Sequence, residues 1–286
     1  MTDRVGPSTI VSVDRALHAL EMLVGERDGL RVTDLSSALA VNKAIAFRLL
    51  SALSDMGYVR QDPLSGRYEA TFKVAALGLR KLDAARLGEW AQVILDDLAS
   101  ETRELVRLAV GEGWTLRWIA KSQGSNSRLI LDPAAGADVV LHATASGKVW
   151  LSTFDIDEAM AIVAVQGTVA RTPHTHTDLG IIRQELLEAG RRGYATTLEE
   201  MDEGVNAIAA PIRISGPDGH RHAVGTLSVA GPAQRIGSTA LEGFAPALLR
   251  AAQELASVWP VYLHVEAQAQ SGRIEPLAQA STAGRG

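Results

Sequence analysis

The stretch Val41-Asn42-Lys43-Ala44-Ile45-Ala46-Phe47-Arg48-Leu49-Leu50-Ser51-Ala52-Leu53-Ser54-Asp55-Met56-Gly57-Tyr58-Val59 decides how the first part of the chain folds. Asn42 is a good N-cap, and Gly57 is well placed as the residue just past the end of a helix over 42–56. Ala46, Leu49, Leu50 and Leu53 recur at helical spacing and should face a core. The opposite side then carries Ala44, Phe47, Arg48 and Ser51, with Lys43 at the helix start and Ile45 on the border. A plainly solvated helix rarely puts a Phe in the middle of its exposed face. Small residues with Phe and Arg suit a major groove, where Arg reaches guanine or phosphate and apolar groups meet thymine methyls. The bland alternative is a three-helix protein-interaction module with an ordinary surface Arg.

Working outward favours the groove. Upstream, Ser12 can cap a helix whose inward positions are Val13, Ala16, Leu17, Leu20, Leu23 and Val24, ended by Gly25 and Gly29. Thr33 is a good N-cap for a short second helix with Leu35, Ala38 and Leu39 inward. Downstream, residues 58–61 and 67–70 alternate around Asp62-Pro63-Leu64-Ser65-Gly66 and read as a hairpin. Three helices and a hairpin make a winged helix-turn-helix. Arg60 and Arg67 flank the turn, on the wing, with phosphates or the minor groove as partners. The expected DNA-contacting set is therefore Thr33, Asn42, Lys43, Ala44, Ile45, Phe47, Arg48, Ser51, Arg60 and Arg67.

Bulk properties fit a two-domain protein. The chain has 286 residues, more than one domain usually holds, and 47% of them are hydrophobic, enough for substantial cores. It has no cysteine, which excludes disulfides and thiol chemistry. The net charge of −5 is unevenly spread: residues 1–82 carry 11 Lys and Arg against 9 Asp and Glu, the remainder 17 against 24. A mildly basic small domain beside an acidic larger one suits a protein that touches DNA with one end. The first ten residues lack the apolar stretch of a signal peptide, and no run approaches the roughly 18 apolar residues of a membrane span. A cytoplasmic location is expected.

Phe72, Ala75, Ala76 and Leu79 predict an amphipathic linker helix over 71–82, followed by a helix over 87–100. Beyond Glu104 the period changes to that of strands. Residues 105–110 and 114–121 form an expected pair, with further strands at 129–131, 138–141, 205–214 and 223–229. Helices are expected at 146–154, 156–165, 178–192 and 238–258. Strands with helices at both ends indicate an α+β domain with an antiparallel sheet. The polar tail over 267–286 should be disordered. The expected division is 10–70, 71–86 as linker helix, and 87–260. On its strand, Trp118 should share a face with Leu116 and Ala120. Trp114, Trp118 and Trp150 are pocket candidates, although strand tryptophans are more often core. Arg107 could pair with a ligand carboxylate, a surface ion pair being its expected role.

The 41–59 stretch with Gly66-Arg67-Tyr68 resembles the helix-turn-helix and wing of the IclR family of bacterial regulators. Members usually have Ser-Thr where this chain has Ala44-Ile45. Those hydroxyls commonly face DNA, so the operator sequence does not carry over. Leu141-His142-Ala143-Thr144-Ala145-Ser146-Gly147-Lys148 is similar to the family's effector-domain signature. Gly193-Tyr194, Glu203 to Pro211 and Leu227 to Pro232 match later blocks in order. The resemblance spans about residues 10–260 and implies a winged helix-turn-helix, a linker helix that helps pair subunits, a GAF-like effector domain, and dimers or tetramers. It places Ala145, Ser146, Thr197, Ala207, Ser228 and Ala230 around a ligand cleft. With Trp118, Leu129 and Asn206 they form the expected effector-binding set. Members binding small carboxylates often have an acid near Thr197, Cys or Ser at Ala207 and Ser at Ala230. This chain is more apolar there, which favours an aromatic or otherwise larger organic acid. The start of the helix near Ser146 could also hold an anion.

Enzyme and cofactor chemistry finds little support. His174 and His176 lack a third metal ligand at the usual spacings, as do His220 and His222. Ser146-Gly147-Lys148 resembles the end of a phosphate loop, but His142 stands where its glycine is required. No Gly-x-Ser-x-Gly elbow occurs. The neighbouring pairs Asp96-Asp97 and Glu199-Glu200 read as solvated. No cofactor is expected. The reading is a ligand-responsive DNA-binding regulator; the alternative is a DNA-binding domain fused to a small-molecule-modifying enzyme.

Overall fold

The Asn42-capped stretch folds as α3 (Lys43–Asp55). Asn42 Oδ1 accepts the Ile45 amide at 2.9 Å. The helix closes by two crossed bonds, Gly57 N–H to Ser54 O at 2.8 Å and Tyr58 N–H to Leu53 O at 2.9 Å. This closure needs a left-handed residue at Gly57, whose φ is +76°. The structure, a computed structural model, describes residues 10–84, 88–127, 130, 131, 136–215 and 221–259. Leu129, residues 216–219, His220 and the tail over 267–286 lie outside them. The chain divides into two units, Met1–Ala84 and Ala85–Gly286.

In the first unit α1 (Val11–Gly25), α2 (Val32–Ala38) and α3 precede a hairpin of β1 (Val59–Gln61) and β2 (Tyr68–Ala70), then α4 (Phe72–Ala84). Ala19, Leu23, Leu35, Leu50, Leu53, Val59 and Tyr68 form its core. Two predicted caps move. Ile10, not Ser12, precedes α1. Arg31, not Thr33, precedes α2: Asp34 accepts the Arg31 amide at 2.9 Å, an acid reaching back over the first turn, and Thr33 lies inside that turn. Arg60 pairs with Glu69 in the hairpin register. The loop before α2 joins the wing, since Leu30 and Tyr68 exchange two backbone bonds of 2.9 and 2.8 Å.

The second unit is built on one antiparallel sheet in the order β4-β3-β7-β6-β5. Its strands are β3 (Leu105–Glu112), β4 (Thr115–Gln123), β5 (Ala195–Leu198), β6 (Val205–Ser215) and β7 (Arg221–Pro232). α5 (Gly88–Thr102) and α9 (Ser238–Val258) cover one face, packing Leu95, Leu98, Leu241, Leu248 and Leu255 on Val106, Leu108, Ile208, Ile212 and Leu227. α6 (Ala145–Leu151) lies against β5, β6 and β7 on the other face, with α7 (Ile156–Gln166) and α8 (Leu179–Arg192) behind it. Asp178 caps α8, accepting the amides of Gly180 and Ile181.

Three strand-level expectations change. Leu108 pairs with Ala120 but Ala109 pairs with Trp118, so Ile119 is an extra residue in β4. The bulge switches faces: Leu116 and Trp118 join the α6–α7–α8 side, while Ala120 packs toward α5 and α9. Residues 138–141 form no strand. Asp138 makes a single bridge to Arg117, and Val139 N–H donates to Leu116 O at 2.8 Å before the chain turns into α6. β5 was not anticipated; its Ala195-Thr196-Thr197-Leu198 sequence shows no clear apolar alternation, and it is an edge strand.

Candidate functional site

On α3 the expected division of faces holds. Ala46, Leu50 and Leu53 are buried and Leu49 is partly buried. Asn42, Lys43, Ala44, Phe47, Arg48 and Ser51 are exposed, Phe47 at 54%, and Ile45 sits between. Arg48 makes no ion pair among the described residues, so its guanidinium is available to an outside acceptor. Thr33 is exposed on α2. The wing arginines are engaged within the protein. Arg60 donates from Nη2 to Glu69 at 2.7 Å, and Arg67 donates from Nη1 to Gly29 O at 2.9 Å, drawing its side chain back toward the loop before α2.

In the second unit strand register assembles a second surface. Thr197 stands opposite Ala207, and Ala207 opposite Ala230. Two residues along, Ala195, Ala209, Ser228 and Arg107 form the next row. Ala145 packs with Ala195, Ala207 and Ala209 beneath α6. Thr144 caps α6, accepting the Gly147 amide at 3.0 Å, and Ser146 is buried in its first turn. Ala145, Ser146, Thr197, Ala207, Ser228 and Ala230 are thus brought to one face of the sheet. Asn206 is not. It shares the strand side of Ile208, its Nδ2 donates to Ile236 O at 2.8 Å, and its Oδ1 accepts the Glu199 amide at 3.1 Å. Trp118 lies on the same side as α6, with Trp150 and Phe154 in its cluster.

Arg107 departs from the expected surface ion pair. Its guanidinium carbon lies 3.8 Å from the centre of the Trp118 ring. Its Nε is buried without a hydrogen-bond partner. Burial pushes its pKa down to about 10, with the Asp202 charge opposing, and no ion pair joins the two. It therefore remains a cation at neutral pH. The alternation Leu105-Val106-Arg107-Leu108 held the clue: a charge at one alternating position of a strand pointed into a covered face.

Lys148, from the phosphate-loop look-alike, is fully buried. Its Nζ donates to both carboxylate oxygens of Glu200, at 2.7 and 2.8 Å, and lies 2.8 Å from Glu185 Oε2. Glu200 is therefore not solvated as expected; burial raises its pKa while the ammonium of Lys148 opposes. His176 Nδ1 is 2.9 Å from Glu185 Oε1, so space supplies the carboxylates that sequence spacing did not. The positive charge between them is that of Lys148, and the cluster serves as an internal ion-pair network. His142 Nε2 donates to Val169 O at 3.0 Å, and burial lowers its pKa.

Comparison with known proteins bears on both units. Residues 12–63 match the IclR helix-turn-helix domain, and residues 79–257 match the C-terminal domain of the bacterial transcriptional regulator IclR. The chain is 36% identical over 228 residues to the glycerol operon regulatory protein of Streptomyces griseus, covering 79% of this chain and 87% of that protein. The crystal structure of a putative IclR transcriptional regulator from Silicibacter sp. TM1040 superposes with a TM-score of 0.72 at 28% identity, covering 86% of this chain and 95% of that one. The inducer-binding domain of a double mutant of the PobR transcription factor from Acinetobacter, solved with 3-hydroxybenzoic acid, superposes with a TM-score of 0.52 at 26% identity over 58% of this chain and 95% of its own. Among the described residues no helix is long and apolar enough to cross a membrane.

Proposed function

Because the chain belongs to the IclR family of bacterial transcriptional regulators, we propose that it binds its operator as a dimer or tetramer and that a small organic acid, aromatic rather than two- or three-carbon, changes that binding. The observation that carries the acid reading is the face beneath α6. Ala145, Ala207, Ala209 and Ala230 make an apolar floor, and Ser228 and Thr197 stand among them as polar anchors. Such a floor suits a flat hydrocarbon body better than a compact, fully polar acid. The likeness to a domain that takes 3-hydroxybenzoic acid supports this choice.

DNA contact falls to Thr33, Asn42, Lys43, Ala44, Ile45, Phe47, Arg48 and Ser51, with Arg60 and Arg67 steadying the wing beside the backbone. Self-association has an apolar surface in α4, where Phe72 is 91% and Leu79 66% exposed. An acid that binds one subunit arrangement better than another shifts the spacing of two recognition helices, and half-sites tolerate only one spacing.

The test combines two readouts on the full chain. Thermal shift is measured with benzoate, 3-hydroxybenzoate, pyruvate and glyoxylate, and a gel-shift follows the DNA upstream of the protein's own gene with and without the acid that binds. The aromatic acids should stabilise the protein, change operator affinity and be recovered unchanged. Preference for pyruvate or glyoxylate overturns the acid class. Chemical conversion of the bound acid would favour the alternative of a DNA-binding domain joined to a modifying enzyme.

A further inference from the structure

Deepening the acid reading, and resting on it, we propose that Arg107 is the anchor for the effector's anionic head group, a carboxylate or a phosphate ester. The hydrogen-bonding state of the covered face leads there. Arg107 Nε, Trp118 Nε1, Trp150 Nε1 and Thr226 Oγ1 are all buried without a partner. Register puts them close together. Arg107 is opposite Ser228 in the β3–β7 ladder; one row on, Ala109 stands between Thr226 on β7 and Trp118 on β4. Trp150 lies over Gly111, the next residue on that side of β3, where a Cβ would run into its ring.

Guanidinium and indole N–H groups can only donate, and the Thr hydroxyl can donate. Interiors seldom leave such groups unsatisfied, and each one so left calls for an explanation. Here the shortage is of acceptors alone. A ligand that completes this face must be rich in acceptor oxygens, and the half-buried cation makes a negative charge the favoured form. Trp118 backs the guanidinium from one side, which fixes the plane of its donors before any ligand arrives. Among the described residues no acid forms an ion pair with Arg107, and Asp202 acts on it only at a distance. Ser228 Oγ donates to the Arg107 backbone carbonyl at 3.5 Å, a bond that leaves the Arg107 side chain to the ligand and the Ser228 oxygen able to accept.

Calorimetric titration of the full-length protein with benzoate, phenyl phosphate and uncharged benzamide tests this. Wild type should bind one of the two anions, which identifies the head group, and bind benzamide far more weakly. Arg107→Gln should weaken the anion by about ten- to a hundredfold, as loss of a charge-assisted hydrogen bond does, while leaving benzamide within about twofold. Arg107→Lys keeps charge and stem but loses the planar fork, and should weaken the anion several-fold; it decides the matter if Arg107→Gln does not fold. Wild-type anion affinity in a folded Arg107 variant overturns the anchor and leaves the acid-sensing reading standing. Failure of wild type to bind either anion overturns both.

Discussion

The two candidate surfaces of this protein are built in opposite ways. On α3 the groups offered to a partner are exposed, and the leucines beneath them hold the helix in place. On the sheet of the second unit the corresponding groups are closed in: Trp118, Ser228 and Thr226 are buried, Arg107 is half-buried with its Nε shut off from solvent, and Lys148 and Glu200 form a buried ion pair. A groove of DNA is large and comes to the protein, so its reader can be one helix face. A small ligand must be surrounded, so its reader is assembled from several strands. With the proposed sites, function and stability fall to separate residues in the first unit and to interleaved ones in the second.

The sharpest attempt to break that contrast is Lys148→Met. It removes the ammonium and leaves Glu200 buried beside Glu185 without compensation, which should cost about 3–5 kcal/mol. Scanning calorimetry should show a large fall in the transition of the second unit. A negligible change would mean that water reaches the cluster, and the interleaving would be weaker than described. On α3 the expected pattern is reversed. Arg48→Ala should weaken operator binding by about 1–3 kcal/mol without moving the melting temperature, read by gel-shift and by circular dichroism. A fall in stability there would place Arg48 in the scaffold. The smallest effect is that of Asn42→Ala, which removes the cap on Ile45 and should cost the first unit about 1 kcal/mol. If operator affinity falls by no more than that, Asn42 serves as a cap alone and leaves the proposed DNA-contacting set.

The same contrast explains what could be read from the chain. A single amphipathic helix reports its own faces, so the division of α3 into Leu50 and Leu53 against Phe47 and Arg48 was legible from spacing alone. So was the wing, because Pro63 and Gly66 mark its turn. The sheet face depends on register, and register is a relation between distant segments. The extra residue at Ile119 turned Ala120 away from Trp118, and nothing local announces that bulge. Asn206 lay one position from Ala207 and fell on the other side. Lys148 and Glu200 are 52 residues apart, so two motifs judged singly as a failed phosphate loop and a solvated acid pair became one buried interaction. Caps misread for a different reason: Asp34 satisfied the Arg31 amide from within the helix, making a hydroxyl at Thr33 unnecessary as a cap.

The bond from Arg67 to Gly29 O, with the paired amides of Leu30 and Tyr68, fastens the hairpin to the loop ahead of α2. Hairpin and loop are therefore held as one piece, tied both through a side chain and through the main chain. Whatever message reaches this part of the molecule can re-aim or displace it whole, but has no internal dial to turn.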